Sequence, residues 1–327
     1  MRGAQCGGRR GRALVTGAAG FVGCHVARAL VADGWQVAGL RRPGGAPWRL
    51  PALPPEMTLV ELDLADRPGV DQLVGSLRPD LVVHAAARGA YLERDLVAGV
   101  RDDLLGFAHL LAALPAGGCR LVALGSSLEA APSREKIANG ATFGPSSTRG
   151  TLRAAATLLA LDEARARHLE AGVLRIFTVY GPWEPENRLV PKAMAAAFSG
   201  HPLPLTAPPW PTHDYVYAAD VAEACLRAAA ARDFPGAVWN VCTGRATSDA
   251  ELVDAVEQAT GRRVVREVGG WQSHHPERPY WCGDPEETAA GLGWRAPTSL
   301  ADGLAATAAW WQERQGRPEP AGGAALA

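Results

Sequence analysis

Residues 13–30 read ALVTGAAGFVGCHVARAL. An apolar, strand-forming run enters three glycines, Gly17, Gly20 and Gly23, and continues directly into a segment whose apolar residues recur at helical spacing. Each glycine has a task in such a turn. Gly17 permits the tight bend, Gly20 lets the backbone approach a pyrophosphate, and Gly23 lets helix and strand pack closely. Phe21 and Val22 lie in the first turn of the helix, whose free N–H groups favour an anion. The stretch therefore predicts a dinucleotide-binding strand-turn-helix.

Further along, strand-like runs at 13–16, 36–40, 58–62, 80–84, 120–124 and 173–177 alternate with helix-like segments such as 20–33, 69–77 and 92–114. This alternation predicts an α/β fold with a doubly wound parallel sheet of the Rossmann type. After Tyr180 the texture changes to Pro, Trp and Gly punctuation between short helices at 189–199, 220–231, 249–260 and 300–312. That half is expected to form a smaller, mixed α/β substrate-binding region. The expected boundaries are 12–180 for the dinucleotide-binding domain, joined by parts of 213–245, and 181–316 for the second region. Residues 1–11 and 317–327 are expected to be loose tails.

The 327 residues carry 33 Lys+Arg against 34 Asp+Glu, so no net field draws the chain to nucleic acid or to an anionic membrane. A small-molecule substrate is the expected partner. Only Lys136 and Lys192 are lysines. The six cysteines form no CxxC pair, which argues against a metal site and a disulfide framework. With no stretch of bilayer-spanning length and no apolar leader, the expectation is a reduced, cytoplasmic protein.

The second strand ends in Arg41 and Arg42, where an NAD site would place a carboxylate for the ribose 2′-hydroxyl. Guanidinium groups suit a 2′-phosphate, so NADP(H) is favoured, with NAD(H) possible. Asp63 is a candidate acceptor for the adenine amino group. Leu64, Ala85 and Ala86, at the ends of the third and fourth strands, complete the expected cofactor-facing set.

These residues resemble the extended short-chain dehydrogenase/reductase family of sugar-nucleotide epimerases, dehydratases and ketoreductases. GAAGFVG resembles its glycine turn, HAAA (84–87) its HxAA strand end, and LGSSLE (124–129) its Ser/Thr-bearing active-site strand. VYGPWEP (179–185), HDYVYAADV (213–221), WNVCTG (239–244) and GWRAPTSLADGL (293–304) follow in the family's order. The resemblance implies a homodimer through the helices around 92–114 and 153–170. It also implies a Tyr-x-x-x-Lys pair on a helix, the Tyr moving a proton and the Lys holding the nicotinamide ribose.

The pair is missing. Counted from Pro145, Arg149 stands at the Tyr position and Arg153 at the Lys position, and no tyrosine occurs between Tyr91 and Tyr180. Arginine stays protonated at any working pH, so it cannot be the acid-base group. Arg153 can donate to ribose hydroxyls, and Arg149 can place a fixed positive charge near the substrate. Three other residues are candidates for managing the proton. Ser127 occupies the family's Ser/Thr position. Glu129 sits where its 4,6-dehydratases place a base, although Leu128 replaces the aspartate they use as acid. Tyr91 lies in the loop leaving the fourth strand, with Arg88 beside it. His84, at the end of a buried strand, is read as structural. By analogy with the family, Asn187, Arg188, His213 and Arg278 would contact a nucleotide diphosphate, and Trp183 would stack on a ligand or join the core.

The expected activity is an NAD(P)-dependent ketoreductase or epimerase acting on a nucleotide-linked sugar with a non-standard proton donor. The alternative is a dinucleotide-binding homologue without redox turnover, serving as a regulatory or binding protein or a non-redox catalyst.

Overall fold

In the first strand, β1 (Arg12–Thr16), residues 13–16 are all essentially inaccessible, as a strand covered on both faces requires. A computed structural model describes residues 10–45, 47–87, 95–270 and 280–315. After β1 come α1 (Phe21–Ala32), β2 (Gln36–Arg41), β3 (Thr58–Glu61), α2 (Arg67–Leu77) and β4 (Leu81–His84). Then follow α3 (Leu96–Gly99), a π-helical turn (Val100–Leu105), α4 (Gly106–Ala113), β5 (Arg120–Ser126), a 3-10 turn (Ser127–Glu129), α5 (Thr148–Ala166) and β6 (Glu170–Ile176). The remaining elements used below are β7 (Thr178–Tyr180), α6 (Leu189–Ser199), β8 (Leu203–Leu205), β9 (Thr212–His213), β10 (Tyr215–Tyr217), α7 (Ala218–Ala230), β11 (Val238–Val241), β12 (Thr247–Ser248), α8 (Asp249–Thr260), β13 (Arg266–Val268), β14 (Tyr280–Trp281), α9 (Glu286–Leu292) and α10 (Leu300–Gln315).

The main sheet has seven strands in the order β11-β6-β5-β4-β1-β2-β3. The ladders β5/β4, β4/β1, β1/β2 and β2/β3 are parallel. Winding reverses between β1 and β4, the switch point at which doubly wound sheets hold ligands. The helix boundaries follow local chemistry. α2 begins at Arg67 rather than at 69 because the Asp66 side chain accepts the Gly69 N–H and Pro68 suits the first turn. In α5 the Ser147 hydroxyl accepts the Gly150 N–H.

By contacts the chain divides into two units, the first built from Met1–Glu129, Pro145–Arg175 and Ala222–Trp239, the second from Ala130–Gly144, Ile176–Val221 and Asn240–Ala327. The first unit takes in Ala222–Trp239 from within 213–245, the stretch expected to join it, and gives up Ala130–Gly144 to the second. The first unit has its own core, in which Leu14, Val82, Leu121 and Val173 of the sheet meet Val70, Phe107 and Leu110 of the helices. In the second, Tyr180, Met194, Leu252, Val256 and Leu304 form a separate core among α6, α8 and α10. Its small sheets pair β7 with β10, β8 with β13, and β9 with both β12 and β14. The buried carboxylate of Asp214, between β9 and β10, ties in the residues after β11 and β14 by accepting from Thr243 N, Thr243 Oγ1, Gly244 N and Gly283 N. Among the described residues, no helix is long and apolar enough to cross a membrane.

Candidate functional site

The glycine turn has the shape its sequence predicts. Gly17 has φ +68°, a left-handed conformation, and a Cβ there would lie 2.7 Å from Ala86 Cα. A Cβ on Gly23 would collide with the Gly17 carbonyl oxygen, so the first turn of α1 can pack this closely only with glycine. Gly20 is the N-cap of α1. Among the described residues no side chain caps that 12-residue helix, and its first turn carries no acid. Its N-terminal N–H groups and positive dipole end suit the pyrophosphate of a dinucleotide. Phe21 is buried and Val22 half-buried at this first turn. Ala85 and Ala86 flank it, their N–H groups donating to Thr16 O (3.2 Å) and Thr16 Oγ1 (3.3 Å).

The rim beyond β2 and β3 is ionic. Arg41 pairs with Glu61, its neighbour in the β2/β3 ladder, and Arg42 lies 2.7 Å from Asp102. Asp63 accepts from Ala65 N (2.9 Å) and from Arg101 (2.7 Å). Burial acts to raise its pKa, but these donors outweigh it and hold the carboxyl below its usual value. Leu64 is buried, and its carbonyl accepts from His109 Nδ1 at 3.0 Å.

Below the switch point runs a buried polar layer. His84 is hydrogen-bonded to Thr16 Oγ1 (2.8 Å) and stacked on Phe107. Burial, with Arg153 adding repulsion, lowers its pKa to about 3, so the ring is neutral and structural. Arg153 of α5 is 7% exposed, with Asp103 from the π-helical turn 3.7 Å away. Arg149 is half-buried in the first turn of α5. Ser127, buried, opens the 3-10 turn that follows β5.

Glu129 follows β5 in the 3-10 turn. It is 0% exposed and turned inward, its Oε1 accepting the Ser126 N–H at 2.6 Å and its Oε2 3.5 Å from Nε of Arg175, also 0% exposed. Burial pushes its pKa up, and the Arg175 charge opposes that shift. A buried carboxylate set against a guanidinium and the Ser126 N–H inside the first unit holds the turn that presents Ser127.

In the second unit, Arg188 is the N-cap of α6, its Nε 3.2 Å from the buried Glu184. Burial raises Glu184 to about 7 despite Arg188 and the Gly181 N–H. Asn187 is exposed. His213 is half-buried between the rings of Tyr215 and Trp281. Trp183 packs against Trp310, 5.3 Å between ring centres. Arg88, Tyr91 and Arg278 lie outside the described residues.

Sequence reasoning missed Arg101, Asp102, Asp103 and Arg175. The last carried a signal, a charged residue inside the apolar strand VLRI. The first three are a charged triplet inside an otherwise apolar helical segment.

Relatives were found by sequence and by fold. A dTDP-glucose 4,6-dehydratase of Streptomyces griseus is 30% identical over 322 residues, covering 94% of this chain and 96% of the relative. A dTDP-6-deoxy-L-talose 4-dehydrogenase (NAD(P)(+)) of Kitasatospora kifunensis is 28% identical over 311 residues, covering 90% and 93%. The crystal structure of Thermus thermophilus UDP-glucose 4-epimerase in complex with NAD superimposes with a TM-score of 0.81 at 26% identity, covering 92% of this chain and 99% of that one. The model of one family, described as the NAD dependent epimerase/dehydratase family, matches residues 13–242. A strand, glycine turn and open helix end shaped for a dinucleotide, in a chain matched over most of its length, place this protein in the NAD-dependent epimerase/dehydratase family.

Proposed function

We propose that the chain is a ketoreductase or epimerase of nucleotide-linked sugars that uses NADP(H) in preference to NAD(H). The observation that carries the cofactor half is the α1 end, a glycine cradle with N–H groups left open to a pyrophosphate. Arg41 and Arg42, at the ribose edge, favour the 2′-phosphate, and the NAD(P)(+) in the name of one relative is compatible with that choice. When bound, the nicotinamide supplies hydride transfer at a sugar carbon. Arg153 donates to ribose hydroxyls in place of the family's lysine, and Ser127 donates to the reacting sugar oxygen. Arg149 stabilises negative charge on the substrate. Arg88, Asn187, Arg188, His213 and Arg278 bind the nucleotide diphosphate. Either Tyr91 or Glu129 carries the proton, and the pairing of the Glu129 carboxyl with Arg175 favours Tyr91. Exposed apolar side chains on the adjoining α3 and α5, Leu96, Val97, Leu158 and Leu159, support a homodimer through these helices. The setting proposed is the cytoplasm.

The test is to incubate the protein with NADPH and a series of 4-keto nucleotide sugars and follow cofactor absorbance. Consumption is expected, and Tyr91→Phe should cut it by about two orders of magnitude or more with cofactor affinity intact. The two arginines on α5 favour the second reading, a homologue that binds the dinucleotide without redox turnover. Cofactor binding with no consumption of any ketone would establish that reading instead.

A further inference from the structure

Four alternating charges line the rim of the first unit beyond β2 and β3. Arg42 lies 2.7 Å from Asp102, Asp102 lies 2.9 Å from Arg101, and Arg101 lies 2.7 Å from Asp63. We propose that Asp102 is a specificity-determining residue, a built-in carboxylate competitor that holds Arg42 and so sets how strongly this chain prefers a 2′-phosphorylated nicotinamide dinucleotide over the unphosphorylated one. The inference rests on the reading of Arg42 as a 2′-phosphate contact.

Three features make Asp102 the competitor that matters. Its side chain is 10% exposed, so it is a fixed anion in a poorly hydrated place, whereas Arg42 is 56% exposed and free to swing between partners. A phosphate dianion is the stronger partner for a guanidinium, so a 2′-phosphate can take Arg42 away. When it does, Asp102 keeps Arg101, and the exchange leaves no uncompensated buried carboxylate, the outcome that ordinarily makes breaking an inward ion pair costly. A 2′-hydroxyl offers no such exchange and leaves Arg42 on Asp102. Glu61 is a poorer competitor for Arg41, because it is 45% exposed and well hydrated.

The π-helical turn explains how one short segment performs this task. Its wider turn directs Asp103 inward toward Arg153, while its neighbours Arg101 and Asp102 reach Asp63 and Arg42. In a continuous α-helix, consecutive residues 101–103 would keep a different phase relative to α4.

The experiment measures dissociation constants for NADPH and NADH by cofactor fluorescence and calorimetry in the wild type, Asp102→Asn, Arg42→Ala and the double variant. Asp102→Asn is expected to tighten NADPH by about fivefold, the factor equivalent to ~1 kcal/mol for a surface-to-partly-buried pair, and to change NADH by less than about twofold. Arg42→Ala should weaken NADPH selectively, and Asp102→Asn added to it should then have no further effect. Asp102→Ser, which also removes the charge, guards against a folding defect peculiar to Asn. A selective loss with Arg42→Ala but no gain with either Asp102 variant overturns this inference alone. A gain that persists without Arg42, or that is equal for the two cofactors, overturns it as well. If Arg42→Ala leaves the NADPH-to-NADH ratio unchanged, the phosphate reading itself fails and this inference falls with it.

Discussion

Replacing Glu129 with Ala is expected to damage the fold more than any surface carboxylate change would. The substitution leaves the Arg175 guanidinium at 0% exposure with its counter-charge gone, and it also strips the Ser126 N–H of its acceptor. Breaking one side of a buried pair costs about 3–5 kcal/mol, because the remaining charge keeps its desolvation penalty. At roughly 2 °C per kcal/mol for a chain of this size, Tm should fall by about 6–10 °C. Glu129→Gln keeps an acceptor for Ser126 and should lose less. The double variant Glu129→Leu/Arg175→Met, which removes both charges and refills the space, should recover most of the loss, since an apolar replacement of a buried pair is commonly neutral or better. Differential scanning calorimetry of the four proteins at one pH is the assay. A Tm for Glu129→Ala within about 2 °C of wild type, with turnover abolished, would refute the buried-anchor assignment and restore Glu129 as an accessible base.

Gly23→Ala should abolish detectable NADH and NADPH binding in calorimetry and cost about 1–3 kcal/mol of stability, because its Cβ collides with the Gly17 carbonyl oxygen; unchanged affinity would refute the close-packing argument. Asp249, in the first turn of α8, is 8% exposed, and burial raises its pKa to about 6 from 3.8, so the native state binds the extra proton between those values. Stability should therefore fall as pH rises from about 4 to 6, and Asp249→Asn should match wild type near pH 4 yet exceed it by about 1–3 kcal/mol at pH 8. Parallel pH profiles for the two proteins would remove the buried carboxylate as the cause.

The elements were legible where hydrophobic period and chain punctuation agreed. The expected helices at 189–199 and 249–260 coincide with α6 and α8, each ended by a left-handed glycine, Gly200 and Gly261, and the second opened by a Ser248/Glu251 capping box. Strands β1, β2 and β4 were legible because a doubly wound sheet buries both faces of its inner strands, leaving uninterrupted apolar runs. The short strands β8 to β10 and β12 to β14 were not, since two or three residues contain no measurable period. The described part of the expected helix at 92–114 is interrupted by the π-helical turn, which no composition signal marked. Its apolar residues still recur at intervals compatible with an unbroken helix, so spacing alone could not reveal the insertion.

For the site, local backbone requirements could be read and long-range pairing could not. Gly17 is needed for its own left-handed φ of +68° as well as for the close approach of Ala86, and Gly23 for the Gly17 carbonyl oxygen six residues back. Glu129 and Arg42 are governed instead by partners 46 and 60 residues away, Arg175 and Asp102. A sequence shows the charge and its element but not the opposite charge the fold brings to it. The same holds for the substitution on α5. An isolated arginine at position 153 reads as a failed lysine, but a lysine has one compact ammonium and an arginine a planar fork with five donors. With one edge of that fork directed toward Asp103, other N–H groups remain for a second acceptor, which is what a residue holding both the π-helical turn and a ribose would require. An arginine at 153, where the family resemblance implies a lysine, thus offers donors for two anionic or hydroxylic partners at once, whereas the compact ammonium of a lysine could also tune a nearby proton.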